Sequence, residues 1–206
     1  MSEPRIGKGA LANSLFEIGA LRFGRFTLAS GKTSSYYLNL RVVPSYPEVY
    51  SAVVRAYVRL ADAVGRPEFD VVAGVATAGI AFSSPLAFLL KKPMVYVRSE
   101  EKGHGLGGLV EGAISPGLRT LVVDDLVTTG GSMISAVEAL RRTGCRANDA
   151  LVLVDRLEGG AANLLEKGVK LHSFATVKEM VDVIFKSKKV TKREYEAVLR
   201  QVESRV

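Results

Sequence analysis

The sequence predicts an α/β domain: a parallel sheet flanked by helices, with a small N-terminal cap. Three observations carry the prediction. Short, mostly apolar runs recur at 69–73, 94–97, 120–123, 150–154 and 169–174, the pattern of strands buried on both faces. Helical patterns lie between most of them, as a parallel sheet with crossover helices requires. The first 40 residues differ, with β-like runs at 21–28 and 36–40 around Ser30-Gly31-Lys32 that read as a cap over one end of the sheet.

Taken in order, Ser45-Tyr46-Pro47-Glu48 reads as a capping box with Pro in the first turn. Val49, Val53, Ala56, Tyr57, Leu60 and Val64 then recur at helical spacing until Gly65 and Pro67 end the helix. Residues 71–90 are uncharged and long enough for a membrane span. Ser83, Ser84 and Pro85 interrupt the stretch, and β-branched residues give way to Ala-rich sequence after Gly74, so it reads as a buried strand and a buried helix. No membrane partner is expected. Met133, Val137 and Leu140 form a further helical stripe, closed by Gly144. No repeat or linker divides the chain. The expected organisation is one domain over 1–206, with cap elements to about 44, an α/β core over 45–175 and C-terminal helices over 176–206.

Composition narrows the function. Of 206 residues, 48% are hydrophobic, which excludes a disordered chain. Cys145, the one cysteine, cannot form an internal disulfide, and the first residues lack an apolar signal core; both predict a cytoplasmic protein. The net charge of +7 suggests an acidic partner. The basic residues are dispersed except for Lys186, Lys188, Lys189, Lys192 and Arg193, which alternate with Glu194 and Glu196 and read as a solvated helical face. A nucleic-acid partner is therefore not expected.

The chemistry concentrates in residues 120–132, Thr-Leu-Val-Val-Asp-Asp-Leu-Val-Thr-Thr-Gly-Gly-Ser. Here a strand ends in two acids and a small-residue turn leads into a helix. Open parallel sheets bind ligands at the carboxyl ends of their strands. The turn Thr128-Thr129-Gly130-Gly131-Ser132 leaves backbone N–H groups free at a helix N-terminus beside hydroxyl side chains, an arrangement that binds a phosphate monoester. No Lys lies in this turn, which disfavours a nucleoside-triphosphate loop. Adjacent acids at the end of a buried strand are costly without a ligand or polar partner. Asp124 and Asp125 with this turn suggest a ribose phosphate, the carboxylates accepting hydrogen bonds from ribose hydroxyls. Gly103-x-Gly105-x-x-Gly108 formally matches a dinucleotide fingerprint. It lacks a following helix and reads instead as a glycine-rich loop carrying Lys102 and His104 toward a developing anion.

LVVDDLVTTGGS resembles the phosphoribosyl diphosphate signature of the type I phosphoribosyltransferases. Phe23-Gly24-Arg25-Phe26-Thr27-Leu28, Ser30-Gly31-Lys32 and Ser35-Tyr36-Tyr37-Leu38-Asn39 resemble the N-terminal cap of the orotate phosphoribosyltransferases. Ala76-Thr77-Ala78-Gly79-Ile80 is similar to their second strand–helix turn, and residues 96–105 to their mobile catalytic loop. The likeness spans roughly residues 15–160.

This resemblance implies Mg²⁺-dependent transfer of ribose 5-phosphate from phosphoribosyl diphosphate to orotate. It implies phosphoribosyl diphosphate contacts from Arg98, Lys102, His104, Asp124, Asp125, Leu126, Val127, Thr128, Thr129, Gly130, Gly131 and Ser132. Lys102, His104, Asp124 and Asp125 take the catalytic roles. The implied orotate contacts are Thr128, Arg156, Tyr37 and Leu38, with Lys32 nearby; a guanidinium at 156 suits the orotate carboxylate. The metal is held mainly by substrate rather than directly by protein ligands. A homodimer with the mobile loop shared between subunits also follows from the resemblance. Ala29, Ala78 and Ser99 stand where many relatives carry Lys, which shifts phosphate binding toward Arg98, Lys102 and backbone amides. The competing readings are a purine phosphoribosyltransferase and a non-catalytic sensor of phosphoribosyl diphosphate that binds nucleic acid.

Overall fold

The computed structural model describes residues 7–27, 31, 33–100 and 108–204. Helix α1 (Lys8–Glu17) leads into an antiparallel hairpin of β1 (Leu21–Thr27) and β2 (Thr33–Leu38). A 3₁₀ turn at Leu40–Ser45 and α2 (Pro47–Val64) connect the hairpin to the sheet. The chain then alternates through β3 (Val71–Val75), α3 (Ala78–Leu90), β4 (Met94–Val97), β5 (Val110–Glu111), β6 (Arg119–Val123), β7 (Leu126–Val127) and α4 (Gly131–Arg142). It continues with β8 (Arg146–Asp155), α5 (Gly160–Glu166), β9 (Lys170–Thr176), α6 (Val177–Lys186) and α7 (Lys192–Glu203).

Across the sheet the order is β5-β4-β3-β6-β8-β9, and only the β4–β5 pairing is antiparallel. Successive strand residues point to opposite faces, and both faces are covered. Val72, Leu121, Val123, Leu151 and Leu153 join residues of α1, α2, α3, α6 and α7 in one core. Val71, Ala73, Val122, Ala150 and Val152 join residues of α4 and α5 in the other. Each Val or Leu side chain among these, fully buried, contributes about 1.5–3 kcal/mol.

Several local expectations change in detail. Ser45 does not cap α2: it ends the 3₁₀ turn, and Tyr46 takes the N-cap position with no side-chain hydrogen bond. Pro47 presets the first-turn φ and needs no capped N–H, so the helix starts without the box. Capping boxes form instead at Thr176 with Glu179 and at Thr191 with Glu194. The basic run at 186–193 is not a helical face. Lys186 ends α6, Lys188 adopts a left-handed φ of 55°, and Lys192 begins α7, so the run is a turn between two helices. Residues 71–90 form β3 and α3, and among the described residues no helix is long and apolar enough to cross a membrane.

Candidate active site

Strand β6 stops at Val123 because the next two side chains are carboxylates. The backbone stays tied to β8: Asp124 N–H donates to Leu151 C=O at 3.0 Å, and Asp125 C=O accepts from Leu153 N–H at 3.0 Å. Pairing resumes as β7 beside Val154 and Asp155, while β9 occupies the other edge of β8. The acids thus occupy a jog in a strand line, at the carboxyl end where parallel sheets bind ligands. Each carboxylate organises the next peptide. Asp124 Oδ1 accepts from Asp125 N–H at 2.9 Å, and Asp125 Oδ1 from Leu126 N–H at 2.8 Å. Beneath them the Tyr57 hydroxyl donates to Asp124 C=O at 2.7 Å.

After β7 the turn enters α4 through Gly130, whose φ of 85° is the left-handed conformation glycine tolerates. The turn is held from behind by α5: Asn163 Nδ2 donates to Thr129 C=O at 2.9 Å, and Gly160 packs directly on Val127 and Thr128. Acids, turn and the 75–78 segment after β3 line a cleft of about 430 Å³ with Arg41 on its rim.

The cleft disfavours its own charge. Burial, then the neighbouring Asp125, holds the Asp124 carboxyl well above the usual carboxylate range, while Arg41 opposes the shift. Burial also raises the Asp125 carboxyl, against the Leu126 N–H and the Arg41 charge. Tyr57, fully buried beneath them, is pushed up by its burial and by both acids. A paired carboxylate site of this kind favours a cationic or hydroxyl-bearing ligand.

All nine residues from Asp124 to Ser132 line the cleft, Thr128 among them. Arg156 follows β8 and does not itself line the cleft, but its backbone N–H donates to Val127 C=O, on the cleft wall, at 3.0 Å. Its side chain meets Tyr36 and Glu158. Tyr37 and Leu38 do not line the cleft: Tyr37 is partly exposed and packs on Phe26, and Leu38 packs against the core. Arg98 also stands outside it, paired with Glu111 at 3.5 Å. Lys102, His104, Lys32 and Ala29 lie outside the described residues. Ala78 lines the cleft without a charge, and Ser99 is exposed.

Sequence reasoning missed Arg41, the cation among the described residues that line the cleft. Its one signal was an Arg directly after the apolar end of the cap run, in a stretch with no period to assign it a face.

A parallel sheet with paired acids and a hydroxyl-rich turn at one strand end defines a class, the phosphoribosyl transferases, and residues 46–170 match the model of the phosphoribosyl transferase domain. The orotate phosphoribosyltransferase of Sulfolobus acidocaldarius is 42% identical over 88% of this chain and 90% of its own. By these matches the chain belongs to the orotate phosphoribosyltransferase family. The crystal structure of orotate phosphoribosyltransferase from Aeropyrum pernix superposes with a TM-score of 0.74 at 36% identity, covering 86% of this chain and 99% of that one. Leishmania donovani UMP synthase gives 0.85 at 30% identity over 97% of this chain and 43% of the longer protein.

Proposed function

We propose that this protein transfers ribose 5-phosphate from 5-phosphoribosyl 1-diphosphate to orotate, giving orotidine 5′-monophosphate and pyrophosphate in UMP synthesis. The observation that carries the reading is the 124–132 segment. Buried acids at a strand end run directly into a phosphate-sized turn at a helix N-terminus. In the reaction the bond from the anomeric carbon to the diphosphate breaks and one to a ring nitrogen of orotate forms. Asp124 and Asp125 hold the ribose hydroxyls and place negative charge beside the carbon that becomes positive. Leu126 to Ser132 supply N–H and hydroxyl donors to the 5-phosphate.

Carboxylate and hydroxyl oxygens suit Mg²⁺. Among the described residues two carboxylates meet in the cleft, and no group of three His, Cys, Asp or Glu forms. By family pattern the ion is held mainly by substrate oxygens, with Asp124 and Asp125 adjacent, and it would neutralise charge on the departing diphosphate. By family pattern Arg98, Lys102 and His104 belong to the diphosphate, the last two also as proton donors to the departing oxygens. Arg156, Thr128, Tyr37 and Leu38 belong to orotate.

The whole chain is read as one catalytic domain, its cap (to about residue 44) and C-terminal helices (from 176) flanking the α/β core, at work in the cytoplasm. The buried Cys145 thiol fits that reducing setting. We read the active unit as a homodimer. Phe88 is 83% exposed and Leu89 52% at the end of α3, an apolar surface a second copy would cover. Phe88→Asp is expected to yield monomers in light scattering, with activity lost alongside because, by family pattern, the catalytic loop at 96–105 completes the partner's site; a dimer that persists overturns this interface.

The primary test mixes protein, phosphoribosyl diphosphate, Mg²⁺ and either orotate, a purine base or uracil. Magnesium-dependent loss of orotate absorbance alone is expected. Consumption of a purine base without orotate would make the protein a purine phosphoribosyltransferase. Tight, salt-sensitive binding of nucleic acid with no turnover of any base would make it a sensor.

A further inference from the structure

Beside the cleft, Tyr36 of β2 closes on Arg156 and Glu158, which follow β8. Arg156 donates from Nε to the Tyr36 hydroxyl at 2.9 Å, and its guanidinium carbon lies 5.0 Å from the centre of the Tyr36 ring. One Nη lies 3.0 Å from Glu158 Oε1, and the Tyr36 hydroxyl donates to that same oxygen at 3.4 Å. The Arg156 and Glu158 side chains are 13% and 10% exposed, and Tyr36 is 1% exposed. A guanidinium this deeply buried needs a partner charge and an acceptor, and here it has both. It is held by a hydrogen bond from Nε, an ion pair from one Nη and its position over the Tyr36 ring.

We infer that Tyr36 and Glu158 are positioning residues: they fix Arg156 so that its remaining Nη group meets the carboxylate of the acceptor base. The inference rests on the assignment of orotate as that base. A free Arg side chain loses rotamer entropy when it is fixed, a cost that ligand binding would otherwise have to overcome. Glu158 also balances the Arg156 charge when no ligand is present, so the buried cation persists in the empty site. The OH of Tyr36 is essential to the arrangement, because it is at once the acceptor for Nε and a donor to Glu158.

Steady-state kinetics on Tyr36→Phe, Glu158→Ala and Glu158→Gln, with both substrates varied, tests the arrangement. Tyr36→Phe is expected to raise KM for orotate about tenfold, the size of one hydrogen bond to a charged group. KM for phosphoribosyl diphosphate and kcat should change far less. Glu158→Ala should act in the same direction, and Glu158→Gln, which keeps an acceptor, should recover part of the loss. An orotate KM unchanged in both Tyr36→Phe and Glu158→Ala, or equal rises for both substrates, overturns the inference while leaving the assigned reaction intact. A wild-type protein that converts no orotate overturns the assigned reaction and this inference with it.

Discussion

Asp124→Asn is expected to lower turnover about 10²-fold while raising the melting temperature at pH 7. The two effects share one cause. Burial and the adjacent Asp125 hold the Asp124 carboxyl above its ordinary value, so its ionisation opposes folding. A group with its folded pKa raised above the unfolded one contributes its stability in full below the unfolded value, about 3.9 for Asp. That contribution is lost as pH rises through the folded value, so the wild-type carboxyl contributes less to stability at pH 7 than at pH 3. The amide keeps an acceptor for the Asp125 N–H and removes the charge. A gain of about 1 kcal/mol would appear as roughly 2–4 °C in a chain of this size. Calorimetry at pH 7 and pH 3 checks the sign, since the gain should vanish at the lower pH, where the wild-type acid is itself protonated. A melting temperature that falls at pH 7 would make Asp124 a structural anchor of the jog and remove the argument for its role on the ribose.

Gly160→Ala is expected to raise KM for phosphoribosyl diphosphate more than tenfold. A Cβ there would sit 2.5 Å from Val127 Cγ2, 2.7 Å from Thr128 C=O and 3.3 Å from Gly130 N. Two of the three are backbone atoms of the phosphate turn, so no side-chain rotation relieves the overlap. Either α5 retreats or the turn moves toward the cleft. Overpacking of this kind costs about 1–3 kcal/mol of stability, and a shift of about 1 Å at a positioned reaction centre costs about 10² in rate. Kinetics with phosphoribosyl diphosphate varied, beside a melting curve, separates the outcomes. An unchanged KM with a lowered melting temperature would limit Gly160 to packing α5 on the sheet.

The strands, the main helices and the acid–turn segment are legible in the amino-acid order alone. β3, β4, β6, β8 and β9 arise where the apolar runs at 69–73, 94–97, 120–123, 150–154 and 169–174 predict them, with ends displaced by a few residues. In β3 and over 150–154 of β8 every residue is buried, and that exclusion of polar side chains is written in consecutive residues; β9, by contrast, is exposed at Lys170 and half-buried over 171–173. The two acids could be read for the same reason: charge directly after such a run must lie at its end or meet a ligand. Long-range packing set the rest: the strand line resumes as β7 past the acids, Arg41 reaches their cleft, and Gly160 supports the turn. It likewise placed Arg156 between Tyr36 and Glu158. Tyr36 lies 120 positions before Arg156, and no local period relates them. Periodicity reports which face a residue turns to its own element's neighbours. Which distant side chain waits on that face is set by strand order and by the folding of the cap over the carboxyl end of β8.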